Sequence, residues 1–298
     1  MTPLRQRMLD ALELRGMALK TRQAYVGAVA GLAKHYRRSP DRLSPHEVQD
    51  YLVYLVRERK LASSSVNQAN SAFRFFYGSV LGLDGATFEL PMRRTPQRLP
   101  ELLSRAELAR LFEHAPNERA GLLLRTGYAT GLRLAELCAL RLRDFNGSVD
   151  HMYVHVHLGK GGKDRLVPLA PELLSTMRAY ASGLPKTLRR ADGWLFADPR
   201  SAWDEHGPQP PSLKTVQRWY HVARQAAGIE RKGGIHTLRH CYATHLLEAG
   251  VDLYSISTWL GHSHISTTMR YLRLARPEAP AGARVRPISL LSQLPSLH

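Results

Sequence analysis

Arg133, Lys160, His236, Arg239, His262 and Tyr271 are side chains of the kinds that move a phosphodiester without a metal ion. Such a transfer needs cations and hydrogen-bond donors against the charge that builds on the nonbridging oxygens, a nucleophile, and a proton donor for the leaving oxygen. Arg133 and Arg239 can clamp the phosphate, His236 and His262 can add hydrogen bonds, and the Tyr271 hydroxyl can attack phosphorus. Lys160, in a Gly-Lys-Gly-Gly turn, is the candidate general acid for the departing 5′ hydroxyl, a role worth about 10²–10⁴-fold in rate. His236 and Arg239 are three residues apart, so a helix would point both from one face at the same phosphate. Taken singly, each has an ordinary reading: an arginine in a surface salt bridge, a capping histidine, a flexible hairpin tip.

The elements that must position these residues fall into two regions. Residues 1–92 read as a helical domain with four helices. Their starts are signalled by Thr2 before Pro3, by Thr21, and by the capping box Ser44-Pro45-His46-Glu47. Tyr25, Val29, Leu32 and Tyr36 recur at helical spacing, as do Val48, Tyr51, Leu52 and Leu55, and Val66 to Tyr77 makes an aromatic-rich fourth helix. Lys20, Arg22, Arg37, Arg38, Arg57, Arg59 and Lys60 lie between these stripes with few acidic counterweights, which favours a DNA-facing surface over a merely solvated one. Residues 93–100 combine prolines and basic side chains as a linker, and Ser104 with Glu107 opens a second domain over 101–276. There, alternation from Met152 to Leu158, a glycine-rich turn and Leu166 to Leu169 predict one hairpin among helices. Residues 198–212 read as a surface loop. The fold class expected is mainly α with a small β-sheet, an α+β arrangement. In the tail, 277–298, Ile288, Leu290, Leu291 and Leu294 form a short amphipathic pattern suited to folding back or to docking on a neighbouring subunit.

Composition limits the partner. Forty-two Lys and Arg against 25 Asp and Glu give a formal charge of +17 over 298 residues, which suits an extended polyanion. No apolar run approaches the roughly 18 residues of a membrane span, and the N-terminus turns polar at once, so a cytoplasmic protein without membrane partners is expected. Cys138 and Cys241 sit in apolar helical patterns and read as reduced core thiols.

Thr130-Gly131-Leu132-Arg133 with Glu136-Leu137, Gly159-Lys160-Gly161-Gly162-Lys163, His236-Thr237-Leu238-Arg239-His240, and Leu260-Gly261-His262-Ser263 through Thr267-Thr268 to Tyr271 stand in an order and spacing that resemble the tyrosine recombinases of the phage integrase and Xer type. The resemblance spans nearly the whole chain. It implies that Arg133, Lys160, His236, Arg239 and His262 assist Tyr271, which would form a 3′-phosphotyrosine and free a 5′ hydroxyl, with Lys163 as the fallback for Lys160. It makes residues 1–92 a core-DNA-binding domain that closes with the catalytic domain around duplex DNA. It also implies four protomers holding two duplexes and needs no cofactor, ATP or metal. Residues 2–80 resemble integrases of bacterial mobile elements more than housekeeping Xer proteins. The chain departs from many relatives after Tyr271, where Leu272-Arg273-Leu274-Ala275 stands in place of a Thr-His pair.

Two other classes fit the residues less well. A catalytically silent DNA-binding architectural protein would not need the full set of six residues. A metal-dependent nuclease or transposase would gather acidic residues for two cations, and no such constellation is evident. His262 and His264 make a His-x-His pair without Cys, Asp or Glu at ligand spacing, so phosphate contact is preferred for His262. Tyr242 and Tyr254 lack the flanking residues that frame Tyr271, and Glu136 reads as a helix salt-bridge partner able to orient Arg133.

Overall fold

A computed structural model describes residues 2–83, 92, 100–148, 151–157, 164–198, 200–201, 203–205, 207–275, 290 and 294. Lys160 and Lys163, most of the expected linker and most of the tail lie outside the described residues. The chain divides into two compact units, Met1–Arg98 and Leu99–His298.

The first unit is built from α1 (Pro3–Leu14), α2 (Leu19–Tyr36), α3 (Pro45–Arg57) and α4 (Ser63–Arg74), the last running into a π-helical turn, Phe75–Val80. Ser44 and Glu47 close the expected capping box on α3, a cap worth about 1 kcal/mol. The second helix starts at Leu19 rather than at Thr21: Ala18 is its N-cap, without a side-chain bond, and the Arg22 N–H already reaches the Ala18 carbonyl. Val48, Tyr51, Leu52 and Leu55 are all buried, as their spacing predicts. Val29 and Leu32 are buried too, whereas Tyr25 and Tyr36 only pack against the edge of the core. The π turn carries Phe75, Phe76 and Tyr77 into the interior, where the Tyr77 hydroxyl donates to the Pro40 carbonyl at 2.6 Å.

The second unit opens with α5 (Arg105–Glu113), capped by Ser104 and Glu107 as expected, then α6 (Glu118–Thr130) and the short α7 (Leu134–Cys138). A three-stranded antiparallel sheet follows, β1 (Phe145–Ser148), β2 (His151–Val156) and β3 (Arg165–Pro168), in that order. The expected hairpin is β2 and β3, and the third strand, β1, was not anticipated because Phe-Asn-Gly-Ser carries no apolar alternation. After α8 (Pro171–Gly183), the described residues of the loop expected over 198–212 hold a two-residue pairing of β4 (Trp203–Asp204) with β5 (Gly207–Pro208). The chain then forms α9 (Leu213–Ala226), α10 (His236–Glu248), α11 (Leu253–Leu260) and α12 (Ser266–Met269), with a 3-10 turn at Arg270–Arg273.

One apolar core runs through this unit, with Leu123, Leu124 and Tyr128 of α6 and Leu238, Cys241, Tyr242 and Leu246 of α10 among its buried members. Cys138 and Cys241 are free and buried, and the Cys241 sulfur accepts from the Leu103 N–H at 3.3 Å. From the tail, Leu290 is buried in this same core and Leu294 packs against it.

Candidate active site

The site is assembled at three chain turns brought together by α6, α10 and α11. Gly131 ends α6 at φ +60°, and a Cβ there would lie 2.3 Å from a Tyr242 ring carbon, so glycine alone suits the position. Two residues on, Arg133 caps α7. Its backbone N–H donates to Glu136 Oε2 at 2.9 Å, and its guanidinium donates to Glu136 Oε1 at 2.9 Å and to the Gly261 carbonyl at 2.8 Å. Arg239, on the second turn of α10, is 2 % exposed and donates to the carbonyls of Gly131 and Leu260, each at 2.7 Å. Both arginines are thus hung from the turn that follows α11, and one of them also from the turn that follows α6. They are held in fixed geometry, and among the described residues the hydrogen bonds of Arg239 go to carbonyls rather than to a carboxylate.

The turn after α11 also delivers His262, whose Nδ1 lies 2.7 Å from the hydroxyl of the fully buried Thr268. His236 begins α10, and its ring meets that of His240 edge-on at 4.8 Å between centroids. The 3-10 turn at 270–273 buries Tyr271 to 2 % exposure and sets its hydroxyl 3.0 Å from His240 Nδ1.

Cationic crowding shows in the proton affinities. Burial, then the charges of Arg239, Arg133 and Arg270, hold His262 down at about 3 and lower His236 in the same way. Burial, then His236, Arg270 and Arg239, hold His240 at about 4, and burial with Arg133 brings Arg239 to about 10. At neutral pH the imidazoles are therefore uncharged hydrogen-bonding groups around two guanidinium ions, an arrangement that an anion would relieve. Burial raises Tyr271, with Arg239 and Arg270 pulling the other way, so the hydroxyl enters any reaction as a phenol. Neutral His240 is placed to accept its proton.

Of the six residues singled out from the sequence, Arg133, His236, Arg239, His262 and Tyr271 gather in this region, and Lys160 lies outside the described residues between β2 and β3. Sequence reasoning missed three participants. Arg165, at the start of β3, donates to both oxygens of Glu136, at 3.0 and 2.6 Å, and to the Trp259 carbonyl at 2.8 Å. Burial alone would raise Glu136, but the bonds and charge of Arg165 and the bonds from Arg133 outweigh it and hold the carboxyl at about 2. Glu136 therefore anchors Arg133 to the sheet. His240 and Thr268 were both in the quoted motifs; the four-residue spacing of His240 from His236 was the signal available, whereas Thr268 meets His262 six residues away. Of the other two tyrosines considered, Tyr242 is buried in the core and Tyr254 stands 74 % exposed on α11.

Fold and site together set two arginines, three imidazoles and a buried tyrosine in one region of a mostly helical unit. Residues 101–278 match the model of the phage integrase family, and residues 4–86 match that of the phage integrase N-terminal SAM-like domain. A putative integrase/recombinase, y4qK, of Sinorhizobium fredii is 36% identical over 276 residues, covering 92% of this chain and 85% of the relative. Tyrosine recombinase XerA of Thermococcus kodakarensis is 34% identical over 267 residues, covering 88% of each. The fold is shared with a lambda integrase dimer solved on a COC′ core site, at TM-score 0.70 and 19% identity over 94% of this chain and 97% of that one. It is shared also with XerH bound to a difH substrate after cleavage, at TM-score 0.69 and 19% identity over 89% and 80%. The chain belongs to the phage integrase family of tyrosine recombinases, and it is a site-specific recombinase.

Proposed function

We propose that this recombinase cuts and rejoins duplex DNA through a covalent bond to Tyr271. The Tyr271 oxygen attacks the scissile phosphorus, the bond to the 5′ oxygen breaks, and a 3′-phosphotyrosine forms. Arg133 and Arg239 neutralise the nonbridging oxygens, His236 and His262 donate hydrogen bonds to them, and His240 takes the phenol proton. Lys160, or failing it Lys163, protonates the departing 5′ oxygen. A 5′ hydroxyl of the partner duplex then attacks the phosphotyrosine, so one phosphodiester replaces another and no bond energy is lost.

The observation that carries this reading is the pair of arginines fixed to backbone carbonyls of one turn, beside a tyrosine whose hydroxyl already meets an imidazole. The reading extends to residues 1–92 as a core-DNA-binding domain, 93–100 as a linker crossing the duplex, 101–276 as the catalytic domain and 277–298 as a tail. A charge of +17 supports duplex DNA as the partner. The lambda integrase tetramer solved on a Holliday junction supports a working unit of four protomers.

The test is incubation with nicked suicide duplexes bearing candidate sites, in EDTA, followed by denaturing gels. Wild type is expected to yield a covalent adduct and Tyr271→Phe none. An adduct that persists in Tyr271→Phe would move the nucleophile elsewhere.

A further inference from the structure

We propose that His155, His157 and Asp164 form a binding site for a zinc-class divalent ion on the outer face of the β2–β3 hairpin, with Asp144 as the carboxylate that orients His157. The inference does not rest on the roles assigned around Tyr271.

The backbone pattern brings the three ligands to one face. His155 in β2 and His157 just beyond its end flank Val156, which is 3% exposed and belongs to the core, and both project to the opposite side. Val156 pairs with Arg165 in the register of β2 and β3, so Arg165 takes the inner face and reaches Glu136. Asp164, the residue before it, takes the face of the histidines. His155 Nε2 lies 3.1 Å from Asp164 Oδ2, and His157 Nδ1 lies 3.5 Å from the same oxygen. The two imidazole centroids are 3.9 Å apart, and one ligand atom from each of the three residues falls within 4.8 Å of the others. Tetrahedral zinc with bonds near 2.0–2.1 Å holds its ligand atoms roughly 3.3 Å apart, so the two spacings to Asp164 already approximate edges of that polyhedron.

Asp144 is an independent indication. Its side chain is 4% exposed, Oδ2 accepts from the Arg141 N–H at 2.8 Å, and Oδ1 has no hydrogen-bond partner. A buried carboxylate oxygen without a donor is costly. His157 Nε2 lies 3.3 Å from it, on the ring edge opposite the nitrogen that faces Asp164. Ligation through Nδ1 would fix the His157 proton on Nε2 and aim it at Asp144, the carboxylate–histidine–metal arrangement that holds ligand rings in place. Two imidazoles and a carboxylate suit zinc better than magnesium or calcium, which take oxygen donors. Without an ion, the half-exposed histidine–aspartate pairs would contribute little, and nothing would fix the His157 proton on the nitrogen that faces Asp144. A bound ion ties β2 to β3 on either side of residues 158–163, on the face away from Arg165, as a structural tie rather than a reactant.

The test uses full-length protein without a histidine tag, stripped with chelator and then freed of it. It is titrated with Zn²⁺ against a chromophoric chelator and with Co²⁺ by visible absorption. One saturable equivalent with a tetrahedral cobalt spectrum is expected. Binding should weaken at least tenfold in His155→Gln/His157→Gln and in Asp164→Asn, and about 10–100-fold in Asp144→Asn. Binding should survive in His264→Gln. Circular dichroism in the metal-free state checks that each variant keeps its fold, and Asp164→Asn alone suffices if the double variant does not. No saturable equivalent in wild type, or one that survives the loss of both histidines or of Asp164, overturns the site.

Discussion

The imidazoles of the site bind protons less readily than free side chains do, and the differences bear on stability. His262 at about 3 and His240 at about 4 are depressed chiefly by burial. His245, buried and bonded to the Tyr128 hydroxyl at 2.9 Å, is likewise held at about 4 by burial and then by Arg105. Because the folded chain binds these protons less readily than the unfolded chain, their contribution is complete above the ordinary histidine value of about 6.5 and is lost as pH falls toward the folded values. Thermal melts are therefore expected to be flat above pH 7 and to fall between pH 6.5 and 5, before most carboxylates titrate. The slope should be shallower in His262→Asn. A melting temperature that is constant over that interval would contradict the assignment of neutral, buried imidazoles. A bound phosphate supplies the missing anion, so DNA should reduce the acid sensitivity of the His262 contribution.

At the scale of elements, the turns matter more than the helices they join. The carbonyls of Gly131, Leu260 and Gly261 accept the arginine hydrogen bonds, and Gly131 and Gly261 both adopt left-handed backbone conformations, at φ +60° and +63°. Gly131→Ala places a Cβ against the Tyr242 ring and Leu260 besides the left-handed penalty, and should cost about 2–4 kcal/mol, read from the denaturant midpoint. It should also lower cleavage, since Arg239 donates to the carbonyl of that residue. A loss below about 0.5 kcal/mol would mean that the turn is not constrained in this way. The helix stripes and both capping boxes were legible before the structure because a cap or a stripe depends on residues three or four apart. The start of α2 and the strand β1 were not. Thr21 is a competent cap that tertiary packing passes over, and Phe145–Ser148 becomes a strand only because β2 lies beside it.

For the whole molecule, charge is the property with the widest reach. If a chain of +17 binds duplex DNA as proposed, it should release counterions, so log Kd is expected to rise with log salt by about 0.9 per neutralised phosphate. Binding isotherms between 50 and 200 mM salt measure this, and an affinity indifferent to salt would contradict the proposed phosphate contacts. Residue types and the local turns were enough for the sequence alone to point to metal-free phosphodiester transfer, a mostly helical fold and five of the side chains now found together, while the tyrosine recombinase reading came from the resemblance of its motifs to that family. These depend on short-range pattern and on chemistry that side chains keep wherever they stand. Tertiary structure decided how those side chains are held: Arg133 to Gly261 across 128 residues, Arg239 to Gly131 across 108, Arg165 to Glu136 across 29 and His240 to Tyr271 across 31. Such bonds follow from the packing of α6, α10, α11 and the sheet around one core, and no local pattern in the chain encodes which distant carbonyl or hydroxyl a buried side chain will meet.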